Sequence, residues 1–176
     1  SALKNPKSEW GGKLKVAGMA RIVHKAYKDW KSSAEAVEMT EVCEHVDASG
    51  KRFLTEERHF VFRATDQWRA IDFDQDIIAT DGPVRFEDRK DSGLSIRVPS
   101  SMAVEAKQGG RITTSEGLSD DRAWGKPAKW CDYHGPVGEE LLGVAMFSHP
   151  STFRFPDRWH VRTYGLFAAN PFGTKS

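Results

Sequence analysis

The chain has 176 residues, 39% of them hydrophobic and 29% charged, which is enough to bury a core without staples and is a poor composition for disorder. Its 26 basic and 25 acidic residues leave a formal charge of +1. No broad field draws nucleic acid or an anionic membrane, and neither is expected as a partner. No apolar run approaches the ~20 residues a membrane-spanning helix needs; the longest, Leu141 to Phe147, is strand-sized.

The start, Ser1 to Pro6, has neither the apolar stretch nor the cleavage pattern of a signal peptide, and cellular location stays open. Arg21 to Ala26 is a short apolar and basic run. Ala36 to Val46, rich in Val, Thr and Met, meets the turn tetrad Asp47-Ala48-Ser49-Gly50, and a second strand-like run follows from Lys51 to Ala64. Asp bonds its own backbone and Gly tolerates positive φ, so a hairpin over Ala36–Ala64 is predicted.

Trp68 to Ile78 shows a period of two, with Ile71, Phe73 and Ile77 on one face and Asp72, Asp74 and Asp76 on the other. A half-buried antiparallel strand with a wet acidic face explains that alternation. Leu94 to Val98 reads as another strand, and Gly109 to Gly138 as a long loop carrying Trp124, Trp130 and Tyr133. Leu142 to Phe147 and Trp159 to Ala169 supply the last strands. With no repeat or linker, the chain is expected to form one all-β domain over residues 1–176, an antiparallel sandwich or barrel.

Catalytic signatures of the serine-hydrolase, phosphate-loop and zinc-helix types are missing from the sequence. His24, His45 and His59 show no ligand spacing, adjacent carboxylates such as Asp72, Asp74 and Asp76 rarely converge on one ion, and neither metal nor cofactor is expected. Cys43 and Cys131 could form one disulfide, but free, partly buried thiols suit lone cysteines better. Glu87 to Asp91 is a charged run between strands, with Lys90 as its candidate for a ligand.

Polar and aromatic residues concentrate in the C-terminal third. Trp130, Asp132 and Tyr133 form one cluster, and His149 stands at a strand end. His160 and Arg162 share one strand face opposite Trp159, and Asn170 lies near the close. Indole faces stack on sugar rings while Arg, His, Asp and Asn bond hydroxyls or carboxylates, so a small-molecule or oligosaccharide ligand is expected.

Three blocks carry a family resemblance: Pro83 to Val98, Trp124 to Pro136, and Ser148-His149-Pro150 followed by Trp159 to Gly173. In order, they resemble a bacterial family labelled methane oxygenase PmoA-like, over about Trp68 to Gly173. The label sits badly with a chain lacking a spanning segment. The resemblance implies a β-sandwich of the galactose-mutarotase-like supersandwich type and a carbohydrate-directed role. Two departures stand out: a His-rich block common upstream in that family is missing before Trp68, and Ser148 and Asp91-Ser92 replace its usual Asp and Glu-Gly.

The expected function is thus a lyase, isomerase or hydrolase on a sugar derivative. The catalytic candidates are His149, His160 and Asp132; the substrate-binding candidates are Trp130, Tyr133, Trp159, Arg162, Lys90 and Asn170. A non-catalytic carbohydrate-binding or structural module is the alternative.

Overall fold

The computed structural model describes residues 19–90 and 93–173, and within them the chain is all-β. The expectations for Ser1 to Pro6 and for Asp91 and Ser92 concern residues outside that set. The strands are β1 (Arg21–Ser32), β2 (Val37–Val46), β3 (Arg52–Ala64), β4 (Arg69–Ile78), β5 (Leu94–Arg97), β6 (Arg111–Thr114), β7 (Trp130–Val137), β8 (Glu140–Phe147), β9 (Arg158–Trp159) and β10 (Leu166–Asn170). Every pairing is antiparallel, in three sheets ordered β1-β2-β3-β4, β5-β10-β9 and β6-β7-β8. Backbone proximity divides the chain into two compact units, Ser1–Arg85 and Phe86–Ser176. Among the described residues no helix is long and apolar enough to cross a membrane.

The first unit holds the four-stranded meander. Its β2–β3 turn closes as its residues dictate: the Asp47 carboxylate accepts from the backbone N–H of Ser49 (2.8 Å) and Lys51 (3.0 Å), and Gly50 takes φ +88°. Register then sorts one face into two halves. Val37 and Met39 lie opposite Phe62 and Phe60, while Glu41, Cys43 and His45 lie opposite Arg58, Glu56 and Leu54. Phe60 stacks on Phe62 (centroids 5.7 Å) and leans on Phe73 (5.0 Å), which makes one half apolar.

Ile71, Phe73 and Ile77 face Phe62, Phe60 and Glu56, and the three aspartates face Val61, His59 and Glu57. The alternation along β4 therefore identifies the faces. As the edge strand, however, β4 leaves Ile71 60% exposed, so its apolar side is less covered than a half-buried strand would be.

The second unit packs its two three-stranded sheets around a shared core. Val98, Trp159, Val161 and Phe167 come from one side and Ile112, Cys131 and Tyr133 from the other, with Met102, Ala123 and Ala128 between. Phe167 sits 5.8 Å from Trp159 and 6.2 Å from Tyr133, centroid to centroid. Both cysteines are free and buried. Burial, with a smaller push from Asp132, raises the Cys131 thiol to about 12, so it behaves as an inert hydrophobe.

Two stretches differ from expectation. Gly109 to Gly138 contains β6 and all of β7. There Cys131, Tyr133 and Gly135 point inward, but Gly135 and Pro136 disguise the alternation. Gly135 is required: a Cβ there would stand 2.8 Å from the Met102 Cα and 3.0 Å from the Gly110 Cα. Trp159 to Ala169 is not one strand but a hairpin. His160 and Ala168 exchange backbone bonds (2.9 and 3.2 Å), and the chain reverses where the Gly165 N–H reaches the Arg162 carbonyl at φ +99°.

Candidate functional site

The tip of that C-terminal hairpin carries the arrangement richest in recognition chemistry. Trp124 follows the short 3-10 turn Asp120–Ala123, and the loop behind it is laced to β9 by two backbone bonds. Gly125 N–H donates to the Trp159 carbonyl (2.8 Å), and Trp159 N–H donates to that of Lys126 (3.2 Å). This fixes the Trp124 indole beside residues 160–162. Its Nε1–H donates to His160 Nδ1 at 3.0 Å, and the Arg162 guanidinium lies over its ring, 4.5 Å from the centroid.

Arg162 also lies 5.6 Å from the Tyr164 ring centroid, and Arg97 stands over the same ring at 5.6 Å. Trp124 and Tyr164 remain 40% and 44% exposed. Among the described residues neither guanidinium has an ion-pair or hydrogen-bond partner for its side chain. Two cations held over aromatic faces without a counter-charge leave N–H donors available for a planar anion.

The sequence candidates divide by environment. His160 is 3% exposed and accepts a bond at Nδ1, which places its remaining proton on Nε2; it props Trp124 rather than meeting a ligand. Trp159 is fully buried, its Nε1–H donating to the Ala128 carbonyl at 2.9 Å. Tyr133 is equally buried. Its hydroxyl accepts from Val104 N–H (3.2 Å) and faces the carbonyls of Thr163 (3.0 Å) and Arg162 (3.2 Å), so it fixes the turn bearing Arg162.

Asn170 is a clamp as well. Its amide donates to the carbonyls of Arg89 (2.8 Å) and Lys90 (3.0 Å), and its Oδ1 accepts from Phe172 and Gly173 N–H. The Lys90 side chain is exposed. His149 is exposed too, its Nδ1 2.7 Å from Ser151 Oγ, whereas His160 is buried. On the outward face of β7, half-buried Trp130 precedes Asp132, whose carboxylate lies 2.5 Å from His134 Nδ1. Gly143 opposite leaves room for that pair, since a Cβ there would meet the His134 Cβ at 3.0 Å.

Sequence reasoning singled out the Trp124 loop and the cluster that holds His134 but made neither residue a site candidate, nor Arg97 or Tyr164, although each lies in a block that carries the resemblance. It also missed Asp157. That carboxylate is 5% exposed, accepts from Ser148 Oγ (2.7 Å) at Oδ2, and has no partner at Oδ1. Burial, only partly offset by the Ser148 bond, raises its pKa. The folded state then holds the proton more tightly than the unfolded one, so this group lowers stability as pH rises through its folded pKa.

Asp157→Asn keeps an acceptor for Ser148 and carries no charge. It is expected to raise stability by about 1 kcal/mol at neutral pH, with the gain shrinking on acidification. Thermal midpoints measured across pH check this; a variant less stable at every pH contradicts it.

In the first unit, His24, Glu41 and Cys43 bring one ligand atom each within 4.8 Å of the others, a set of N, O and S donors capable of holding a metal ion.

A family model described as "Family of unknown function (DUF6807)" matches residues 5–176, and that description does not tie it to PmoA. No curated protein and no solved structure matches the chain.

Proposed function

We propose that this chain, which belongs to the family of unknown function DUF6807, is a carbohydrate-directed protein that binds an acidic sugar at Trp124, Arg162, Tyr164 and Arg97. One observation carries the reading: two guanidiniums lie over exposed aromatic rings and, among the described residues, have no carboxylate to neutralise them. A sugar carboxylate is a planar acceptor matched to a guanidinium edge. The sugar ring's C–H face suits the uncovered indole and phenol surface beside it. Contact with the rings limits the guanidinium rotamers before the ligand arrives, which lowers the entropy cost of binding.

The reading favours binding over proton transfer at this spot, because buried His160 serves the indole. The Asp132–His134 contact supports a second reading, acid–base catalysis on the outward face of β7, with Asp132 orienting the imidazole. The sequence resemblance to proteins labelled PmoA-like, which implies a mutarotase-type sandwich, adds an analogy that fixes no mechanism.

Titration with uronic-acid oligosaccharides and their neutral counterparts tests the proposal. Acidic oligomers are expected to bind, and Trp124→Ala or Arg162→Gln to weaken them about tenfold or more, the size of one charge-assisted bond, with the fold intact. Equal affinity for neutral sugars, or no loss in either variant, contradicts it.

A further inference from the structure

The half of the β1–β4 sheet face away from the phenylalanines carries donors of three kinds. Glu41 and Cys43 are two apart on β2 and so share a face, and register places His24 of β1 directly opposite Cys43. A bulge between His24 and Ala26 inserts Lys25 as an extra residue. It brings Tyr27 opposite Glu41, where its ring lies 4.4 Å from the His24 imidazole and supports it. His24 Nδ1 is 2.9 Å from Glu41 Oε1, and all three ligand atoms lie within 4.8 Å of one another.

We propose that His24, Glu41 and Cys43 form a three-ligand site for Zn²⁺, with a fourth position open to water. Tetrahedral zinc needs donor separations of about 3.5 Å, so the set closes by side-chain adjustments of about 1 Å. The mixture of imidazole, carboxylate and thiolate suits a borderline-soft ion and disfavours calcium or magnesium, which take oxygen ligands.

The surroundings fit as well. Arg58 Nη1 donates to Glu41 Oε2 at 3.2 Å, which holds the carboxylate by its far oxygen and turns Oε1 toward His24. Arg58 is itself neutralised by Glu56 (2.7 Å). The thiolate and carboxylate therefore balance the two charges of the ion, and the Cys43 proton leaves to solvent on binding. The His24 side chain is 43% exposed, which gives the ion an entry path.

Cobalt(II) titration of the full chain tests this. The wild type is expected to develop visible tetrahedral bands and a near-ultraviolet sulfur-to-cobalt transition, both removed by Zn²⁺. Cys43→Ser should delete the sulfur transition while Cys131→Ser keeps it. Buried Cys43 could disturb folding when changed, so the deciding variant is His24→Gln at an exposed position, expected to weaken cobalt binding about tenfold or more. A wild type without the sulfur transition, a transition that follows Cys131, or unchanged affinity in His24→Gln overturns the proposal.

Discussion

Replacing Arg58 by leucine is expected to cost the four-stranded unit about 3 kcal/mol, read as a lower midpoint in denaturant. The cause is Glu56, 1% exposed on β3. Its carboxylate accepts from Arg58 Nε (2.7 Å) and Nη2 (2.8 Å), lies 2.7 Å from His45 Nε2, and accepts from Gln75. Burial alone would raise its pKa, but the bonds from Arg58, His45 and Gln75 together outweigh it and hold the carboxyl below its usual value.

A depressed carboxyl contributes stability that is complete above the unfolded pKa and disappears as pH falls through the folded one. The wild type should therefore lose stability below the ordinary glutamate range, and Arg58→Leu should show a flatter acid limb. Changing Glu56 and Arg58 together to leucines should recover much of the loss, because the fully buried carboxylate leaves with its partner and Glu41 keeps His24. Wild-type stability in Arg58→Leu alone would refute this account of the sheet.

Trp159→Ala should be comparably damaging to the second unit, at about 4 kcal/mol and roughly 20 °C in melting temperature. The indole is fully buried against Phe167 and donates to the Ala128 carbonyl. Truncation opens a cavity where the two sheets share their core and strips that carbonyl of its partner. Trp159→Phe separates the two effects, since it keeps most of the bulk and loses only the bond. It should fall between alanine and wild type, measured by near-ultraviolet circular dichroism on heating. An alanine variant that melts with the wild type would show that the core lies elsewhere.

The parts of this fold written in local pattern were legible in the sequence. Asp47 to Gly50 announced its turn through backbone chemistry, and Asp72, Asp74 and Asp76 announced a strand face through their period. The C-terminal hairpin was not legible, because its reversal rests on Gly165 alone in a segment that otherwise alternates. Composition pointed to the third of the chain that carries the proposed binding surface, but two of the aromatics it favoured, Tyr133 and Trp159, are buried.

Trp159 and Tyr133 look like ligand platforms and are core, while Trp124 and Tyr164 become surface because they sit on a loop and a turn tip. Arg97, Trp124 and Arg162 come from three separate segments, and only the folded chain shows that they meet. The His24, Glu41 and Cys43 set was hidden for the same reason: no linear ligand spacing exists when register and a bulge supply the third donor.

The most direct test of the binding proposal is the indole N–H region of a ¹H–¹⁵N spectrum during titration with an acidic oligosaccharide. The Trp124 resonance should shift progressively with ligand and keep still with the neutral counterpart, while that of buried Trp159 stays in place. An unmoved Trp124 signal under saturating acidic sugar, or shifts confined to other tryptophans, would contradict it.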